Sequence, residues 1–365
     1  MIPIAKPLVG EEEKTAIVNV LNSGMLASGP ITEEFEKKFA EFIGTKYAIS
    51  TASGTTALHL GLLALGIKEG DKVIVPVFSF IATANSPLFC GATPIFCDIN
   101  PQTFNINPDK IEKLITKETK AIMPVHLYGQ AADMKAILEI AEKHDLKIIG
   151  DACQAHGAKY NKKMVGSFGD LECFSFYPTK NITTSEGGMI TTNNEEIAEK
   201  AISLRNHGRE KTKWGYEHGC LGYNYRTTDI ASAIGNEQLK KLPMFNKKRQ
   251  ENAKFLNKKL DFINEIKIPY VLPTCEHVYH QYTIVCKNRD KIIQTLKKHE
   301  IGYGIYYPKP LHFYAHLKKY AHTDLKYAEE TAQKVVSLPV HPALTKNDLN
   351  KIIDAIISVY QHPDR

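Results

Sequence analysis

Between about Lys46 and Thr192, short apolar runs alternate with stretches whose apolar residues recur at helical spacing. That rhythm predicts βαβ units building a mostly parallel sheet covered on both faces. The expected strands are KYAIS (46–50), KVIVP (72–76), TPIFCDI (93–99), KAIMPVHL (120–127) and LKIIGDA (146–152), with ECFSF (172–176) and GMITT (188–192) extending the sheet. They are apolar, many of their residues are β-branched, and most are bounded by Gly, Pro or Asp. Met134 to His144 and Glu195 to Asn206 carry the helical spacing between them. After about Asp229 the texture changes to long Lys-rich helices. A βαβ-like segment follows, with HQYTIVCK (280–287), a helix near Arg289 to His299 and GYGIYY (302–307), and then closing helices from Asp324 and Thr345. The pattern predicts the α/β class, with a large three-layer domain around a mostly parallel sheet and a smaller C-terminal α/β domain.

Length supports two domains, since 365 residues exceed the roughly 250–300 at which a single core stops growing. The expected division is residues 1–247 and 248–365, joined by a continuous helix over about 228–262, with the N-terminal segment packing on the smaller domain. Hydrophobic residues are 43% and charged residues 24%, an ordinary globular balance that argues against extensive disorder. The net charge of +6 is spread over helical faces, as at Lys254, Lys258 and Lys259. A nucleic-acid partner calls for a concentrated basic face, which is missing, and a small acidic ligand suits the charge. The seven cysteines lack CxxC spacing and several lie in apolar runs, so they read as reduced core residues, and no metal is expected. The opening MIPIAKPLVGEEE lacks the layout of a signal peptide and no apolar run approaches the roughly 20 residues that span a bilayer. A cytoplasmic protein without a membrane partner is the expectation.

Three stretches carry candidate chemistry. In ASGTTALHLGLLAL (52–65) a strand ends at Ser53-Gly54 and a helix begins at Thr55-Thr56. A helix start of this kind binds phosphate through unpaired N–H groups and the positive end of the dipole, and it also serves as an ordinary Thr-capped helix. It is neither a Walker A loop nor a GxGxxG turn, so no nucleotide triphosphate or dinucleotide is indicated. GDACQAHGA (150–158) puts Asp151 at the carboxyl end of a buried strand, where ligands of open α/β sheets collect, or where an aspartate caps the next turn. His156 in the same stretch reads as a structural histidine. FSFYPTKNITTSEGGMITT (174–192) places Lys180 in a turn between two strands. An exposed lysine there does nothing, whereas one in a pocket that lowers its pKa forms Schiff bases and moves protons.

Together and in this order, the three stretches resemble the sugar-nucleotide aminotransferases, pyridoxal-phosphate (PLP) enzymes of fold type I. The resemblance runs over essentially the whole chain through PVFSFIATANS (76–86), CGATPIFCDINPQTFN (90–105), IMPVHLYGQAADM (122–134), LGYNYRTTDIASAIGNEQL (221–239), YYPKPLH (306–312) and SLPVHP (337–342). It implies that Lys180 binds the cofactor and shuttles the proton, that Asp151 pairs with the ring nitrogen and that Gln154 contacts the ring hydroxyl. Gly54, Thr55 and Ser175 would hold the phosphate, with Asn224 from the neighbouring subunit, and Phe80 would stack on the ring. Arg226 would sit near the subunit boundary, and Tyr306, Tyr307 and His312 would line the sugar-nucleotide site. For Phe80 the alternative is a core aromatic, for Asn224 a helix cap, and for the tyrosine pair simple packing.

The implied activity is transfer of an amino group from an amino acid, glutamate in most relatives, to a nucleotide-linked keto sugar, with pyridoxamine phosphate as the second form of the cofactor. A homodimer with shared sites follows. KNITTSEGG resembles relatives that aminate carbon 4 of 4-keto-6-deoxy sugars, and YPTKN those that aminate carbon 3; carbon 4 is the expectation. Elimination chemistry and a non-catalytic PLP-binding regulator are the alternatives, the latter disfavoured because no helix-turn-helix module is appended. Two departures stand out: TSEGG replaces the commoner TGEGG, and TTDI follows Arg226 where Met or Leu often opens the helix. Relatives with histidine in place of the lysine are dehydratases, and here the lysine is present.

Overall fold

The computed structural model describes residues 1–321 and 324–361. Its centre is a seven-stranded sheet in the spatial order Tyr47–Thr51, Gly188–Thr192, Leu171–Ser175, Lys147–Asp151, Thr119–Ile122, Lys72–Pro76, Thr93–Cys97. All neighbouring pairs are parallel except those made by Gly188–Thr192, which runs antiparallel to both its neighbours. The seven strands predicted for this sheet are all present. The one read as 120–127 forms a regular strand over Thr119–Ile122, and beyond Pro124, which has no N–H for the ladder, it resumes only as an isolated bridge from Val125 to Asp151.

Period-two alternation divides each strand between two cores. Ile49, Val73, Val75, Ile149, Cys173 and Ile190 face one cluster, which is closed by the helices Gly54–Ala64 and Glu195–Arg205. Ala48, Ile74, Ile148, Phe174 and Met189 face the other, closed by Pro30–Ile43, Met134–Lys143 and the first half of Asp229–Leu260. This is the three-layer arrangement expected of strands apolar on both sides. Phe35, Phe39, Phe174 and Phe176 form an edge-on aromatic cluster in the second core, with centroids 5.1–6.0 Å apart. The helix Pro30–Ile43 starts with Pro at its first turn and ends at Gly44 with φ of 83°. Its first amides, Gly29 N and Thr32 N, donate to Asp229 at 2.8 and 2.9 Å, so the head of the long helix caps its neighbour.

That long helix continues past the sheet. Leu239, Leu242 and Phe245 belong to the second core, while Ala253, Leu256 and Leu260 belong to a third, built with the strands Ile266–Lys267, Tyr282–Cys286 and Val335–Leu338. The N-terminal segment joins this third core: Ile2 pairs with Ile301, and Pro3 O accepts from His341 at 3.1 Å. GYGIYY differs from expectation. It contributes one bridge, Gly304 to Ser337, and the third strand of this sheet is Val335–Leu338, fully buried and better supplied with β-branched residues. Leu311, Leu317, Leu325 and Ala328 turn back to pack on the first core, held there by Asp98, which accepts from Tyr327 N and Ala328 N.

The TSEGG departure has a conformational cost. Ser185 has φ of 72° and an exposed side chain. A non-glycine residue in the left-handed region costs roughly 1–2 kcal/mol, against about 0.4–1 kcal/mol for the greater unfolded-state freedom of glycine. Ser185→Gly is therefore expected to raise stability by up to about 1 kcal/mol in urea titrations, with no loss of secondary structure by circular dichroism.

Candidate active site

The carboxyl ends of the parallel strands open into a cavity of about 690 Å³. Its walls come from the start of the helix Gly54–Ala64, the turn Ser79–Ala82, the end of Lys147–Asp151, the segment Ser175–Lys180 and the Ile305–Tyr307 stretch. Of the residues singled out in the sequence, Gly54, Thr55, Phe80, Asp151, Gln154, Ser175, Lys180, Tyr306 and Tyr307 all line it. Distant regions of the chain are thus brought to one place.

At the helix start, Ser53 takes the cap position and its Oγ accepts from Thr56 N at 3.2 Å. The amides of Gly54 and Thr55 precede that bond and are left for an outside acceptor, with no acidic residue in the first turn to compete for them. Gly54 is required by close approach: a Cβ there would lie 2.6 Å from Ser175 Cβ and 3.0 Å from Cys153 Sγ. The helix start and Ser175 therefore sit against each other as two halves of an anion cradle.

Asp151 is 5% exposed and ends its strand. Thr83 Oγ donates to its Oδ2 at 2.8 Å and Cys153 N to its Oδ1 at 3.2 Å. Because the carboxylate only accepts, the Thr83 proton is committed to it, and the Ser79 hydroxyl 2.8 Å away supplies the next donor in the chain. No ion pair satisfies this carboxylate among the described residues. Gln154 is fixed at both ends, accepting from Tyr128 N at 2.8 Å and donating to the Tyr307 hydroxyl at 3.0 Å.

Lys180 is half-buried, with its backbone N–H donating to Tyr177 O at 2.9 Å. Desolvation by the surrounding protein lowers its pKa from the ordinary lysine range, partly opposed by Cys153 and Asp151. The ammonium form is thus disfavoured at a wall shared with a carboxylate. Phe80 is 54% exposed, which excludes the core-aromatic alternative; its ring lies 6.3 Å from that of Tyr307 and leaves a face open to the cavity.

Three residues stand elsewhere. His312 is buried outside the cavity, contrary to expectation: the turn Leu311–Phe313 folds it against Phe96, and its Nε2 bonds Glu329 at 3.0 Å. Arg226 donates to Asn206 Oδ1 at 2.6 Å. Asn224 is exposed and bridges to Asn206, and the helix cap is Thr228. His156 is packed between the rings of Phe174 and Phe176 and burial lowers its pKa to about 3, a neutral core residue. Sequence reasoning missed Thr83, Glu186, His280 and Gln281. Thr83 lies within the quoted PVFSFIATANS stretch, one helical turn after Phe80, and that spacing is the signal that places it under the cavity floor. Glu186 likewise lies within the quoted FSFYPTKNITTSEGGMITT stretch, whereas His280 and Gln281 are brought in by tertiary folding.

The residues fit PLP on their own chemistry: orphan amides and a hydroxyl for a phosphate, an unpaired carboxylate for a cationic nitrogen, an open aromatic face, and a desolvated amine for an aldehyde. Among the described residues no group of three or more His, Cys, Asp or Glu side chains could hold a metal, and no helix is long and apolar enough to cross a membrane.

Comparison with known proteins agrees. The model of the DegT/DnrJ/EryC1/StrS aminotransferase family matches residues 7–357. The chain is 42% identical to GDP-perosamine synthase of Caulobacter vibrioides, over 98% of each protein. It is 39% identical to UDP-N-acetyl-3-dehydro-alpha-D-glucosamine 3-aminotransferase of Acidithiobacillus ferrooxidans, covering 95% of this chain and 93% of that one. The crystal structure of DesV from S. venezuelae, in complex with a ketimine intermediate, superposes with a TM-score of 0.94 at 35% identity, covering 97% and 95% of the two chains. With the match extending over nearly its whole length, the chain belongs to the DegT/DnrJ/EryC1/StrS aminotransferase family of PLP-dependent enzymes.

Proposed function

We propose that this enzyme transfers an amino group from glutamate to carbon 4 of a nucleotide-linked 4-keto-6-deoxy sugar. The observation that carries the transferase reading is the convergence of Lys180, Asp151 and the Gly54–Ser175 cradle on one cavity large enough for a sugar nucleotide. The position on the sugar is supported by the KNITTSEGG string and by the likeness to GDP-perosamine synthase at 42% identity. Amination at carbon 3 is the second reading, favoured by the likeness to the 3-aminotransferase at 39%.

Bound PLP supplies an aldehyde and an electron-withdrawing ring through which an amino group passes from donor to acceptor. The protein's part is to hold it and to move protons. The Gly54 and Thr55 amides with Ser175 would anchor the phosphate, Phe80 would cover the ring and Gln154 would meet its hydroxyl. Asp151, held in place by Thr83, would pair with the ring nitrogen and keep it protonated. Lys180, with its pKa lowered, takes a proton from the donor and returns one to the acceptor. Tyr306, Tyr307 and the exposed Glu186 carboxylate stand where the sugar would lie. Asn224 and Arg226 serve the partner subunit's site in a homodimer, which agrees with the exposure of Asn224 and its place outside its own cavity.

Glutamate is expected to convert the absorption spectrum of the holoenzyme to that of the pyridoxamine form, and a 4-keto-6-deoxy sugar nucleotide to restore it. Restoration by a 3-keto sugar alone establishes the second reading, and no change with any amino acid rules out transamination. Lys180→Ala should reduce turnover by about 10²–10⁴-fold or more, the usual span for a lost acid-base group. A shared site predicts that two inactive variants, Lys180→Ala and Asn224→Ala, recover activity when refolded together, since mixed dimers then contain one intact site; mixtures that stay inactive place Asn224 outside the partner's site. The lowered Lys180 pKa has a consequence for the apo chain. The folded state disfavours the ammonium, so this cost to stability is full below the folded pKa and fades as pH rises toward the unfolded value of about 10.4. Lys180→Met should therefore stabilise apo protein most at neutral pH and least near pH 10, read by urea denaturation.

A further inference from the structure

Next to Lys180 the structure holds a second small space, lined in part by Lys6, Asn181, Thr183, Gln238, Arg249 and Lys180 itself. It offers about 10 Å³ for the centre of a water-sized sphere, room for a single small species. Lys6, Lys180 and Arg249 are the basic residues of its lining, and no acidic residue lines it.

Arg249 is the unusual member. Its side chain is 5% exposed, on the long helix Asp229–Leu260, and its Nη1 donates to Tyr279 O at 3.1 Å and His280 O at 3.3 Å. Its Nε is buried without a hydrogen-bond partner, and the guanidinium makes no ion pair among the described residues. A buried guanidinium normally has a carboxylate or another anion beside it. Glu13 reaches the lining, accepting from Gln238 Nε2 at 2.7 Å, but it is already paired with Lys241 at 2.8 Å. The polar atoms of Asn181 are likewise engaged, its Nδ2 donating to Asn246 Oδ1 at 2.7 Å and its Oδ1 facing His280 Nδ1 at 3.3 Å. The neighbouring imidazoles offer no negative charge either: burial together with Lys180 and Arg249 keeps His156 and His280 neutral. The positive charge is therefore locally uncompensated, and the residue that carries the unpaired donor lines this small space.

We propose that this space is a binding site for one small monovalent anion of halide size, chloride under ordinary conditions, held by Arg249 with Lys6 at its outer edge. The proposal does not require the cofactor, since apart from Lys180 the lining residues of this space are not among those of the main cavity. An anion there favours the ammonium form of Lys180, opposing the desolvation that the main cavity imposes.

Crystals of the apo protein grown or soaked in sodium bromide test this directly. The expected result is an anomalous difference peak between Arg249 and Lys6, next to Lys180; a water in that place with no anomalous signal, or bromide confined to the outer surface, overturns the proposal. In solution, the melting temperature of the apo chain should rise saturably with sodium chloride compared with sodium gluconate at equal ionic strength. Arg249→Met, which keeps the stem and removes the charge, should weaken the apparent chloride affinity at least tenfold. An unchanged chloride response in a folded Arg249→Met protein contradicts it. If that variant does not fold, the bromide measurement on the unaltered chain decides.

Discussion

Asp151 ends a strand buried on both faces, and a carboxylate at 5% exposure without an ion pair is stable only if something cationic is brought to it. Much of the site can be understood as answering that requirement. Thr83, anchored one turn into its helix, donates to Oδ2, and Cys153 N donates to Oδ1, so the carboxylate is held in one orientation with its charge unneutralised. Lys180 shares the cavity wall without forming an ion pair with that carboxylate, and desolvation disfavours its ammonium form. The result is a carboxylate and an amine held near each other, both available for a ligand whose ring nitrogen is basic and whose aldehyde is electrophilic.

The helix start supplies the third element by a different physical route. Its first amides are orphaned because α-helical geometry leaves them so, and Gly54 lets that end close on Ser175 to within a distance no Cβ would allow. The cradle, carboxylate and amine come from positions far apart in the chain, and sheet register brings them together: Gly188 lies opposite both Thr51 and Ser175, and Asp151 opposite Cys173. Since helices cover both faces of the sheet, its carboxyl edge is the place where a ligand can meet all three.

Much of this is legible in the sequence because it rests on local patterns. KVIVP and GMITT are strands with the bounds expected of them, and the alternation of Val73, Ile74 and Val75 along one strand by itself assigns these side chains to opposite cores. Gly54, Asp151 and Lys180 can be found because each follows or precedes a strand in a recognisable stretch. Partnership across the fold is what local pattern does not encode. Gln154 is positioned by Tyr128 and Tyr307, the second lying 153 residues away, and nothing local joins them. His312 reads as part of the sugar site because it follows YYPKPL, yet a single 3-10 turn rotates it onto Phe96. GYGIYY has the composition of a strand, but Val335–Leu338 takes the place beside Tyr282–Cys286 with four ladder partners.

The central claim is that Lys180 is the amine that receives the cofactor. Borohydride reduction of the protein after incubation with PLP, followed by proteolysis and peptide mass spectrometry, tests it without depending on any substrate. The expected result is a single stoichiometric label on the peptide containing Lys180, lost in Lys180→Ala. A label distributed over surface lysines, or one that persists at full stoichiometry in Lys180→Ala, would contradict it.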